Sequence, residues 1–230
     1  MQLKKLQLAI DAYKRHLASD KAFVNAYKWE SLRNFQENWN VEADDWLDMY
    51  NRALENTTSR RLWKREKYEP KRLMLLLANH NILWAKHVFT DLLNEQKDVE
   101  GRADRFIYQC DEMLREYKSA YPLSIENNHY HNDRRHMVSL YLSFRYPDKY
   151  ALYDATAFSM AMVLLGSPDT PGVDLGRYIK VSRTLYTFLM KDPQVWELHT
   201  QRLHPQLHYQ DKTLLLVNDF CDWLSAQKSL

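Results

Sequence analysis

VEGRADRFIYQCDEMLREYKS, residues 99–119, decides the fold class. Ala103, Phe106, Cys110, Met113 and Tyr117 recur every three or four positions, the repeat of one helical face, with charged side chains between them. Gly101 is the first glycine of the chain. Residues 1–100 thus lack the residue that most easily supplies positive φ in hairpins and phosphate loops, and helical spacing continues outward in both directions. Toward the N-terminus, Leu3, Leu6, Ile10, Tyr13 and Leu17 mark one helix, and Ser19-Asp20 is the expected cap of a second carrying Phe23, Tyr27 and Phe35. A third contains Trp46, Met49, Tyr50 and Ala53, with Glu42, Asp44 and Asp45 expected in its first turn, where they favour the helix dipole. Pro70 opens a helix through Ala78, and Ile82, Val88, Phe89 and Leu92 mark the next. Toward the C-terminus, Asp133 to Phe144 reads as a helix stopped before Pro147, and Phe158 to Leu165 as one ended by Gly166. The 167–172 stretch SPDTPG is a loop, and helices are expected over 175–189, 193–203 and 214–224. Tyr150 to Tyr153 fits an extended segment or a first helical turn equally. The expectation is an all-α fold of about ten helices, one compact domain over residues 1–230, with a division near 120–128 as the weaker alternative.

Composition narrows the function. With 230 residues and 45% hydrophobic side chains the chain can bury a large core, and 32 basic against 30 acidic residues exclude a protein that coats nucleic acid by bulk charge. Cys110 and Cys221 are isolated thiols on apolar faces, so they read as core residues in a reducing compartment. No apolar run approaches the roughly 20 residues of a membrane span, and Met1 to Leu6 leads into an amphipathic helix rather than a signal peptide. A cytoplasmic protein without a membrane partner is expected. GxxxxGK[ST], GxSxG, HExxH and GxGxxG are all missing from the sequence, which disfavours catalysis and argues for no cofactor.

Three groups of residues carry candidate chemistry. His129, His131 and His136, with Asp133 among them, have the composition of a zinc or iron site and are the residues a metal-dependent hydrolase or nuclease would use. Their spacing argues otherwise. His131 and His136 are five apart, about 140° around a helix, so the favoured reading has no metal, with Asn132 or Asp133 capping a helix while His129 bonds locally. Secondly, Arg134, Val138, Tyr141 and Arg145 fall on one helical stripe, two guanidinium groups flanking a phenol, which suits an anionic ligand, although structural ion pairs and packing against aromatics are the favoured reading. Thirdly, Arg60, Arg61, Lys64, Arg65, Lys67, Lys71 and Arg72 outnumber Glu66 and Glu69, a local charge of +5, with Trp63 and Tyr68 interleaved. Such a segment neutralises phosphates and stacks bases, and DNA contact is its functional reading. Residues 37–55 carry a compensating −5 and offer the alternative of a salt-bridged surface.

The longest run of distinctive residues lies at 128–154. His129-Tyr130, Asp133-Arg134 and Tyr141-Leu142-Ser143-Phe144-Arg145-Tyr146-Pro147-Asp148-Lys149-Tyr150 resemble a signature in the helical region ahead of the motor in prokaryotic McrB-like AAA+ proteins, the motors of modified-cytosine restriction. Tyr27 to Glu30, Phe35 to Trp39, Asp45 to Leu54, Tyr68 to Met74, Asp91 to Glu95 with Asp98, and Leu215 to Phe220 extend the similarity across most of the chain. The family pattern has an amide and an acid where this chain has His131 and Asn132. The resemblance implies a non-catalytic recognition or scaffold region that contacts DNA, an AAA+ motor domain or subunit, or another partner in defence. A plain interaction or oligomerisation domain is a further alternative, marked by exposed aromatic and apolar side chains.

Overall fold

Residues 136–145, HMVSLYLSFR, are apolar on every face, and the helix they form is buried from His136 through Phe144. A helix of this kind must be enclosed by others. Its two serines satisfy themselves locally: Ser139 and Ser143 donate to the carbonyls of His136 and Leu140 at 2.8 and 3.0 Å. The computed structural model describes residues 1–64, 68–167, 172 and 174–227. Among these it contains eleven α-helices, one short 3₁₀ helix and no β-strand, arranged as one compact domain.

The helices are α1 (Leu3–Leu17), α2 (Tyr27–Asn38), α3 (Trp46–Ala53), α4 (Pro70–His80), α5 (Ile82–Leu92), α6 (Val99–Ala120), α7 (His136–Arg145), α8 (Ala155–Leu164), α9 (Leu175–Met190), α10 (Pro193–Gln201) and α11 (Leu215–Ser225). Side chains of Asp45, Asn81, Asp98, Asp154, Asp174 and Asp192 accept backbone N–H bonds at the starts of α3, α5, α6, α8, α9 and α10. Each satisfies donors that the first turn leaves open. Consecutive helices α2 to α6 pack neighbour on neighbour, whereas α1 crosses to α10 and α11, and α8 lies along α11. The first helix therefore closes the fold on its last elements. Gln2 N–H donates to the Leu165 carbonyl at 2.9 Å, and one hydrophobic cluster runs from Leu6 to Leu224 across the non-helical 121–127 stretch. None of the described helices is long and apolar enough to cross a membrane.

Three boundaries differ most from expectation. The segment after Ser19-Asp20 is a 3₁₀ helix, Asp20–Asn25, with Phe23 exposed, and α2 begins only at Tyr27. Ser19 bonds back to the His16 carbonyl at 2.7 Å and caps nothing. Glu42 and Asp44 precede α3, with Asp45 as its cap. More consequential is the start of α7 at His136 instead of Asp133. Arg134 and Arg135 have φ of 42° and 66°, outside the right-handed helical region, and neither Asn132 nor Asp133 supplies a side-chain cap.

Candidate functional site

The 128–154 segment divides its side chains between the interior and a surface cleft. Inside, His131 donates Nδ1–H to the His129 carbonyl at 2.8 Å, so its Nε2 is the acceptor for the Tyr141 hydroxyl at 3.0 Å. Tyr141, whose O–H donates to His131, accepts from the Tyr50 hydroxyl of α3 at 2.6 Å. His129 takes the His131 amide on Nδ1 at 3.0 Å and donates Nε2–H to Asp111 of α6 at 3.0 Å. Every donor in the chain Tyr50, Tyr141, His131, His129, Asp111 then has one direction. Burial, with a smaller contribution from His129, pushes His131 down to about 3, and burial also raises the Tyr50 and Tyr141 hydroxyls. The chain is neutral until it reaches Asp111.

His136 and Asp133 point elsewhere. His136 Nδ1 and Nε2 face the carbonyls of Tyr153 and Leu62 at 2.9 and 2.8 Å, while Asp133 accepts from the Tyr68 hydroxyl at 2.6 Å. The four residues of the hydrolase reading do not converge. Among the described residues, the group that comes together as metal ligands can is Cys110, His129 and His131. Cys110 was legible only as a core thiol, because nothing local in the sequence ties it to a loop 19 positions later.

Facing solvent, a cleft of about 610 Å³ lies between the loop ahead of α7, the start of α8 and the end of α11, lined by Asp133, Arg134, His136, Asp154, Thr156 and Ser225 among others. The loop that shapes it has strained backbone. Tyr130, Arg134 and Arg135 are its three non-glycine residues with positive φ among those described. Arg135 is held by ion pairs to Asp104 and, at 3.8 Å, to Glu100, and the Tyr130 ring stacks on Tyr68 at 4.6 Å. Arg134 is different: it is exposed, and its guanidinium makes no hydrogen bond or ion pair with the described residues.

The stripe expected from Arg134, Val138, Tyr141 and Arg145 does not form. Arg134 stands outside the helix, Val138 and Tyr141 are fully buried, and Arg145 is exposed with its guanidinium over the Tyr146 ring at 5.1 Å. Tyr146 and Tyr150 fasten the rest of the signature to the α5–α6 turn, donating to the Leu93 carbonyl at 2.6 Å and to Glu95 at 2.7 Å. Arg102 of α6 is buried against both Glu95 and Tyr150. Much of the 141–150 signature is therefore scaffold.

The basic segment is also partly internal. Trp63 is 1% exposed, which removes it as a stacking platform for a base, and Lys71 is buried on Glu55 at 2.6 Å and the Leu54 carbonyl at 2.8 Å. Arg61 is half-buried, bonded to Asn56 and Thr58, and Arg72 pairs with Glu126 at 2.7 Å. Arg60 and Lys64 remain exposed. Arg65 and Lys67 lie outside the described residues. Among the described residues, Glu55 of the acidic 37–55 stretch pairs with this segment, through Arg61 and Lys71, while Glu37 and Asp48 pair within their own helices. Compared with family models, curated proteins and solved structures, the chain has no match.

Proposed function

We propose that this chain is a non-catalytic helical recognition module that works beside a nucleotide-driven motor, with the cleft around Arg134 as its contact site. The observation that carries the reading is Arg134 itself. A bulky residue at φ 42° costs of order 1 kcal/mol, and a guanidinium without a hydrogen-bond or ion-pair partner among the described residues, at the rim of a polar cleft, forgoes the interactions it is best suited to make. Such strain is kept where the geometry serves a contact. The contact is with a carboxylate or phosphate, the planar anions that a guanidinium binds bidentately. Asp133 and Asp154 stand in the same lining as Arg134, and a surface of mixed sign suits a partner protein carrying both signs of charge better than a bare polyanion. The motor context rests on the resemblance at 128–154 and on the missing phosphate loop, which leaves nucleotide hydrolysis to another chain or domain.

The test is co-purification with any AAA+ ATPase that the gene's neighbourhood encodes. Arg134→Ala is expected to weaken the complex at least tenfold while the circular dichroism spectrum stays helical. A neighbourhood without a Walker-type ATPase removes the motor from the proposal, and binding indifferent to Arg134 removes the cleft. DNA contact, the other arm of the reading, falls to Arg60, Lys64 and Arg72. If it occurs, affinity drops steeply with salt, and each of these residues replaced lowers the slope by about one unit.

A plain interaction domain is a second reading, favoured by one observation. Leu123 and Ile125 are 98% and 87% exposed in the 121–127 connection, next to half-exposed Tyr121. Leu123→Asp with Ile125→Asp is expected to abolish any concentration-dependent increase of mass in sedimentation.

A further inference from the structure

The thiol and two imidazoles beside α6 carry an inference independent of Arg134. Cys110 sits in the middle of α6, and the loop after that helix returns His129 and His131 to it, so that one donor atom from each lies within 4.8 Å of the other two. All three residues are buried. In a tetrahedral zinc site, ligands at about 2.0–2.3 Å from the metal are about 3.3–3.6 Å from each other, so closure asks for a contraction of about 1 Å.

Both rings already hold the tautomers that ligating histidines have. His129 donates Nε2–H to the Asp111 carboxylate and His131 donates Nδ1–H to a backbone carbonyl, the two outer contacts that most often fix the tautomer of a ligating histidine. They leave His129 Nδ1 and His131 Nε2 as the lone pairs. We propose that Cys110, His129 and His131 bind a zinc-type divalent cation, with Asp111 orienting His129. Thiolate and imidazole donors select zinc over magnesium or calcium, and their burial in the core makes the ion a structural one. On binding, the Cys110 thiol releases its proton to solvent. The hydrogen bonds that the His131 amide and the Tyr141 hydroxyl now make to the two ring nitrogens are given up, and the Tyr141 hydroxyl, 3.0 Å from His131 Nε2 and keeping its proton, stands beside the fourth position.

The full chain, stripped with chelator and titrated with zinc chloride, is expected to take up stoichiometric zinc by elemental analysis. Titrated with cobalt(II), it is expected to develop a thiolate charge-transfer band and the visible bands of tetrahedral cobalt. Cys110→Ala should remove the charge-transfer band and the rise of Tm with zinc, its own folding being checked by circular dichroism without metal. Asp111→Asn, at a half-exposed position, keeps all three ligands and should weaken zinc by about 10–100-fold at unchanged stoichiometry. Substoichiometric zinc in the wild type, a cobalt spectrum that Cys110→Ala leaves unaltered, or zinc affinity unmoved by Asp111→Asn overturns the proposal.

Discussion

The buried chain around His131 and the buried ion network around Asp219 solve the same desolvation problem in opposite ways. Asp219 of α11 is fully buried and stays ionised: it accepts from Arg202 at 2.7 Å, Tyr13 at 2.6 Å and Asn25 at 3.0 Å, with Lys28 at 3.6 Å. Burial alone would push its carboxyl up, yet the charges of Arg202 and Lys28 and its hydrogen bonds hold it well below the usual carboxylate range. Lys28 also pairs with Asp222, and Arg202 covers the Trp29 ring at 4.8 Å and bonds the Ala22 carbonyl at 3.1 Å. Around His131 no opposite charge converges, and the groups remain neutral with their protons ordered along the chain. Ions survive burial where several helices bring counter-charges to one point; elsewhere neutrality is cheaper.

The comparison breaks most visibly at Asp219. Asp219→Ala takes the carboxylate from buried Arg202 and leaves Lys28 with Asp222 as its counter-charge, and is expected to cost about 3–5 kcal/mol in urea unfolding. A loss no greater than that of Tyr50→Phe would show that the network is not charged.

Acid sharpens the contrast next. His131 and His199 are both pushed down to about 3, His131 by burial and then by His129, His199 by burial and then by the Arg202 charge. Unfolded, each titrates near about 6.5, so between pH 6.5 and 3 the unfolded chain binds more protons and stability falls with falling pH, by about 1.4 kcal/mol per pH unit for each histidine. Asp219 enters later. Its folded value is depressed, so its contribution is present above the unfolded value of about 3.9 and is lost only as pH falls below it. Urea midpoints at pH 7, 6 and 5 should fall progressively, and a flat profile would contradict the neutral, buried state of the two histidines.

Within the neutral chain, proton direction predicts an inequality. Tyr141→Phe leaves His131 Nε2 without a donor and Tyr50 without an acceptor, an expected loss of about 2–3 kcal/mol; Tyr50→Phe removes one hydrogen bond and leaves His131 served, a loss of about 1 kcal/mol. Reversal of the order would reverse the assigned tautomers. The smallest effect belongs to the cleft. Arg134→Gly relieves the φ of 42° and is expected to leave stability unchanged or raise it by up to about 1 kcal/mol, while removing the partner contact of the proposed function.

How much of this was legible varies by residue. Phe106 and Cys110 were correctly placed on the apolar face of α6, since a period of 3.6 is a property of neighbours in sequence. The bond from Tyr50 to Tyr141 spans 91 positions and has no local trace. Trp63 among arginines looked like a stacking side chain, yet burial depends on what the rest of the fold lays over it, and here Arg61 and Lys71 each sit 5.8 Å from its ring centroid. The start of α7 was misplaced because Arg134 and Arg135 are ordinary helix formers, and their left-handed backbone is imposed from outside by contacts such as the Arg135 pair with Asp104.

Sequence by itself determined the all-α class, nearly every helix and the apolar face each one turns inward, because periodicity, proline and capping residues act within a turn or two of the chain. Tertiary structure alone decided which polar residues meet: that His136 leaves the other histidines, that Cys110 joins them, and that Asp219 finds two cations. Those outcomes depend on contacts between helices distant in sequence, where a side chain's chemistry is fixed by its surroundings and not by its neighbours in the chain.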